Sequence, residues 1–73
     1  MNSKLKEIIN RLEKIVQTDE DNRTRRFRSN GEDVCEVNFN VENNMFTFVD
    51  YKRQQQYEFD NIDLVAIEVF ETL

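Results

Sequence analysis

The apolar positions of this chain change period twice, and the changes divide it into a helix, a run of strands and a second helix. Leu5, Ile8, Ile9, Leu12, Ile15 and Val16 recur at helical spacing, which predicts an amphipathic helix from Ser3 to Gln17 with Asn2 or Ser3 as its cap. The opposite face carries Lys4, Lys6, Glu7, Asn10, Arg11, Glu13 and Lys14, the distribution of a surface helix laid on a core. Residues 18–22 are polar and acidic and read as a loop.

From Arg23 to Phe59 the period becomes two, and Asn30-Gly31 and Asn43-Asn44 punctuate it as turns, which predicts an antiparallel meander. A two-residue turn at Asn43-Asn44 sets Phe39 opposite Phe48 and Val41 opposite Phe46, so that four large apolar side chains share one face. A two-residue turn at Asn30-Gly31 would pair Phe27 with Val34 and place Arg26 beside Cys35 on the core face. The pattern therefore predicts a three-residue loop, Ser29-Asn30-Gly31, with Gly31 at the positive φ of a G1 bulge and Phe27 returned to the face of Cys35, Val37 and Phe39.

The polar stretch from Tyr51 to Gln56 reads as a turn. Tyr57 and Phe59, alternating with Gln56 and Glu58, form a short fourth strand. Asp60 or Asn61 supplies a cap for the closing helix, with Asp63 three places after Asp60 in the manner of a capping box. Along that helix Ile62, Val65, Ala66, Val69, Phe70 and Leu73 form the stripe that packs on the sheet, while Leu64 and Ile67 fall outside it. The expected fold is α+β: a two-layer α-β-β-β-β-α arrangement in which an antiparallel meander sheet packs both helices on one face. That face bears Phe27, Cys35, Val37, Phe39, Phe46, Phe48 and Phe59. The other face, with Val34, Met45, Thr47, Val49 and Tyr51 among asparagines, is a possible contact surface.

Size gives the surplus apolar residues a meaning. The chain has 73 residues, 38% of them hydrophobic, and is read as a single small domain, 1–73. A domain this short buries only about 60% of the surface its unfolded chain exposes and usually relies on disulfides, a metal or a second subunit. Cys35 is the one cysteine and histidine is absent, so an internal disulfide and the common zinc ligand sets are excluded. Self-association remains, and a homodimer is expected. A helix apolar nearly all round is covered on more than one side, which assigns Leu64 and Ile67 to a second subunit unless the first helix packs over them. Val49 and Tyr51 on the opposite sheet face are further interface candidates, and an unidentified protein partner is the other occupant considered.

The first residues lack an apolar signal-peptide core, and no run approaches the roughly 18 apolar residues of a membrane span. With one free thiol, the expected location is cytoplasmic, without membrane attachment. The net charge of -5 and pI near 4.6 oppose general attraction to phosphates or anionic lipid.

Against that background Arg23, Arg25, Arg26 and Arg28 around Phe27 form the most distinctive polar cluster. On a strand it offers guanidinium groups and a ring to single-stranded RNA, provided that Arg25 and Phe27, or Arg26 and Arg28, are exposed together. Glu32, Asp33 and Glu36 stand as cross-strand partners, so a solvated edge strand is the simpler reading. Cys35 alternates with Val37 and Phe39 and is expected as a buried hydrophobe. Without histidine there is no nucleophile-base triad of the usual type. Asp60, Asp63, Glu68 and Glu71 are explained by capping and solvation, Asp19-Glu20-Asp21 lacks the ligand alternation of a calcium loop, and one glycine excludes phosphate-binding glycine motifs. No catalytic, cofactor or metal residue is assigned. The leading expectation is a homodimeric protein-interaction or regulatory module without catalytic activity; RNA binding through Arg23 to Arg28 is the alternative, and a small enzyme would need a pocket with perturbed carboxylates.

The segment Phe59-Asp60-Asn61-Ile62-Asp63-Leu64-Val65-Ala66-Ile67-Glu68-Val69-Phe70 resembles the YkuJ-like family of short Gram-positive bacterial proteins, a domain of unknown function. An opening amphipathic helix, Phe27 ahead of Asn30-Gly31-Glu32, and Val34-Cys35-Glu36-Val37 extend the likeness over nearly the whole chain. The resemblance implies a central antiparallel sheet with flanking helices and carries over no functional residue. The family pattern has a proline before Phe-Asp-Asn and a glycine in the preceding turn, where this chain has Glu58 and Lys52-Arg53-Gln54-Gln55-Gln56.

Overall fold

A computed structural model describes residues 3–18 and 23–73. The helical period becomes α1 (Ser3–Gln17) and α2 (Ile62–Thr72), and the period of two becomes β1 (Thr24–Ser29), β2 (Glu32–Asn40), β3 (Met45–Asp50) and β4 (Gln55–Phe59). The strands lie in the order β1-β2-β3-β4 and every neighbour is antiparallel. The expected cap at Asn2 and the acidic run Asp19-Glu20-Asp21 lie outside the described residues.

Alternation decides which side of the sheet is covered. Phe27, Cys35, Val37, Phe46 and Phe48 are buried beneath Ile8, Leu12 and Ile15 of α1 and Val65, Ala66 and Val69 of α2. Both helices therefore pack on one face, α1 over β1 and β2, α2 over β2, β3 and β4, and against each other. Phe39 and Phe59 pack at the margin of this core. Burying a side chain the size of Phe27 or Phe48 contributes about 2–3 kcal/mol, so this single apolar layer holds the fold together.

Two turns differ from the expected ones. Asn30 and Gly31, at φ 55° and 83°, make a two-residue turn between Ser29 and Glu32 in place of the three-residue loop. Phe27 still faces Cys35, because the register slips by one residue between the pairs Phe27–Cys35 and Arg28–Asp33. The extra residue is Val34, a bulge that restores the alternation. The second hairpin closes through four residues, 41–44, and not through Asn43-Asn44 alone. Phe39 pairs with Phe46 and Val37 with Phe48, so the expected pairs Phe39–Phe48 and Val41–Phe46 do not form, and Val41 is 53% exposed. Asparagine side chains hold this loop: Asn40 Oδ1 accepts from Glu42 N at 2.9 Å and Asn43 Oδ1 from Met45 N at 3.1 Å.

The third turn has no glycine. Asp50, a buried carboxylate, accepts from the backbone N–H groups of Lys52 (3.0 Å) and Arg53 (3.1 Å), and Gln54 takes the left-handed conformation at φ 54°. At the start of α2, Asn61 is the cap: its Oδ1 accepts from Asp63 N at 2.7 Å. The Asp60–Asp63 capping box does not form, since the helix begins one residue later than that box requires.

Candidate functional site

The arginine-rich strand resolves into four separate environments. Arg23 Nη1 donates to the carbonyl oxygens of Ile15 (3.0 Å) and Val16 (2.8 Å), closing the C-terminal end of α1 where unsatisfied carbonyls and the helix dipole favour a cation. Arg28 meets Asp33 at 3.1 Å and donates to the Gly31 carbonyl at 3.0 Å. Arg26 pairs in register with Glu36. Arg25 is exposed, but Phe27 beside it is 2% exposed and part of the core. No base can stack on that ring, which removes Arg25 and Phe27 as a joint contact.

On the uncovered sheet face, Tyr51 donates to Glu36 Oε1 at 2.5 Å, Asn38 Nδ2 donates to Glu36 Oε2 at 2.9 Å, and the Thr24 hydroxyl bonds to Asn38. The hydrogen bond to Glu36 holds the Tyr51 phenol protonated and raises its pKa, burial adds to this, and Arg26 opposes it. Val49, opposite Glu36, and Tyr51 are half-buried. The network satisfies its polar groups among themselves, as a solvated sheet face does.

Cys35 is a free, buried thiol. Burial, then the charges of Asp50 and Glu36, push its pKa up to about 12, the opposite of what a nucleophilic or metal-binding thiolate requires. Among the described residues no three metal-ligating side chains converge, and no buried polar side-chain atom lacks a partner. A concavity of about 640 Å³ between the β1–β2 hairpin tip, Lys52 and the end of α2 brings Glu32 and Asp33 near that lysine, but Asp33 is already engaged by Arg28.

The strongest departure from an ordinary surface is on α2. Leu64 is 51% exposed, Ile67 44% and Phe70 36%. Helix α1 packs beside α2 without covering Leu64 or Ile67. The expected placement of Phe70 in the packed stripe is corrected: it sits at the margin near Lys4 and Leu73. Its angular distance from Ile62, Val65 and Val69 on the helix is the signal that would have shown this. Leu64 and Ile67 thus lie on the helix layer, and Val49 and Tyr51 on the opposite side of the molecule; the four interface candidates do not form one surface.

An open four-stranded antiparallel meander with a helix before and a helix after it, both on one face, defines a small two-layer α+β protein. Within that class the chain belongs to the family of proteins of unknown function DUF1797, which matches residues 8–73. It is 38% identical over 77 residues to the uncharacterized protein YkuJ of Bacillus subtilis (strain 168), an alignment covering 97% of this chain and 98% of that protein. The X-ray structure of the Bacillus subtilis YkuJ protein matches with a TM-score of 0.83 at 35% identity, over 94% of this chain and 95% of that one. The likeness read from residues 59–70 and their surroundings is therefore a family relationship.

Proposed function

We propose that this chain is a small cytoplasmic interaction module that acts as a homodimer and performs no reaction of its own. The observation that supports this most directly is the outer face of α2, where Leu64, Ile67 and Phe70 stand in water on a helix whose other side is already fully used by the core. Exposed apolar residues in such a cluster, rather than singly, mark contact surfaces. The thin core of a chain this short gains from a second subunit for the same reason.

Sedimentation velocity and light scattering on the full chain are expected to show twice the 8.9 kDa chain mass at micromolar concentration. Replacing Leu64 and Ile67 together by serine is expected to weaken association by at least ~10-fold, since each loses a large part of an apolar side chain from the contact. The circular dichroism spectrum of the folded chain should be unchanged, because neither residue belongs to the core. A native chain that stays monomeric at high micromolar concentration overturns the proposal.

A further inference from the structure

Charge is divided unequally between the two helices. On α1 the cations Lys4, Lys6, Arg11 and Lys14 outnumber Glu7 and Glu13, and Arg11 is paired with Glu7 at 2.7 Å. Helix α2 carries Asp63, Glu68 and Glu71 and no cation. The two helices lie side by side and run antiparallel: Lys4 is near Phe70 and Leu73 at one end, Val16 near Ile62 at the other. The helix layer is also the less acidic side of the chain, holding only one of its five net negative charges.

Two copies can place their helix layers face to face about a two-fold axis in the contact plane, and its direction decides which helices meet. An axis across the helices sets α1 on α1 and α2 on α2, pressing cation on cation and acid on acid. An axis along them, running between α1 and α2, sets each α2 on the partner's α1. We infer that the second copy docks in this way, with α1 of each chain lying antiparallel across the outer face of α2 of the other. This rests on the homodimer reading and adds the segment that covers α2. The apolar residues Leu64 and Ile67 lie in the middle of the crossing. At its two ends the antiparallel run brings Lys6 of one copy toward Glu71 of the other, and Lys14 toward Asp63. Such a contact is isologous and self-closing, and its charge pattern supplies specificity and register more than affinity. The Cα atoms extend 32 × 30 × 20 Å, so the broad face accommodates the roughly 800 Å² per partner of a standard interface.

The test uses two charge-reversed full chains. One carries Lys6→Glu and Lys14→Glu, the other Asp63→Lys and Glu71→Lys; all four positions are exposed, and circular dichroism confirms folding before association is measured. Each variant alone is expected to dimerise at least ~10-fold more weakly than the native chain, because four symmetry-related pairs become repulsive at up to about 1 kcal/mol each. An equimolar mixture of the two is expected to recover a heterodimer of near-native affinity, and all four changes in one chain to recover the homodimer. Undiminished self-association of both variants overturns this geometry while leaving a homodimer through another surface standing. Weakened variants that fail to recover on mixing overturn it equally, and so does a native monomer that binds a basic amphipathic peptide on α2 in place of its own copy. A native chain that is monomeric throughout removes the homodimer reading itself.

Discussion

Cys35 shows how one residue carries both structural and pH information. Its thiol is wholly buried and held protonated first by desolvation and then by Asp50 and Glu36, with its pKa pushed from 9.0 up to about 12. The unfolded chain releases this proton near pH 9, whereas the native chain keeps it until near pH 12. The contribution is therefore fully present below pH 9 and is lost as pH rises toward 12, at up to about 1.4 kcal/mol per pH unit. Urea unfolding of the native chain should lose more stability between pH 8 and pH 10 than the Cys35→Ala variant does, and equal slopes would refute the buried-thiol account. Alternation with Val37 and Phe39 already places Cys35 in the core. The same alternation from Phe46 and Phe48 puts residue 50 on that face, yet an aspartate there gives no apolar signal, and its role appears only once the turn it holds is seen.

At the scale of elements, hydrophobic period decides type and face, while turn chemistry decides partners. The expected second hairpin is off by two residues in register. A shift of two keeps every side chain on its face, so the core was legible although the pairs were not. Val41 misleads because it continues the alternation one step beyond the strand into the loop. In the first hairpin, one extra residue was required by parity, but sequence alone did not say whether it lies in the loop or, as found, at Val34. The third turn replaces the glycine of the family pattern with Gln54 in the left-handed region and a buried Asp50 that accepts two backbone N–H groups. Gln54→Gly should stabilise the fold by about 0.5–1 kcal/mol by removing the side-chain penalty at positive φ. Asp50→Ala should cost roughly 1–3 kcal/mol, because two turn N–H groups lose their acceptor, and Asp50→Asn distinctly less, since an acceptor oxygen is kept. Denaturation midpoints measure all three, and an Asp50→Ala chain as stable as the native one would refute the turn assignment.

For the whole molecule, the question is whether the fold closes on itself or needs a copy. The sequence made the apolar excess of α2 visible, since Leu64 and Ile67 fall outside the packing stripe. It did not show that α1 would leave them uncovered, because helix packing angle and offset are set by tertiary geometry. If two copies join through the helix layers, unfolding is coupled to dissociation, and the melting temperature becomes a function of concentration. A tenfold rise in concentration should then raise Tm by roughly 3–5 °C for a chain of this length. The same contact joins acidic α2 to basic α1, so added salt should lower Tm at fixed concentration by screening it. A monomer stabilised by its own core shows neither dependence, because its apolar layer is unaffected by concentration and only weakly by moderate salt. Scanning calorimetry over a concentration series at low and high salt separates the two: a Tm fixed across the series means that Leu64 and Ile67 remain in water, whereas a Tm that climbs with concentration and falls with salt means that they are covered by a contact that is partly electrostatic.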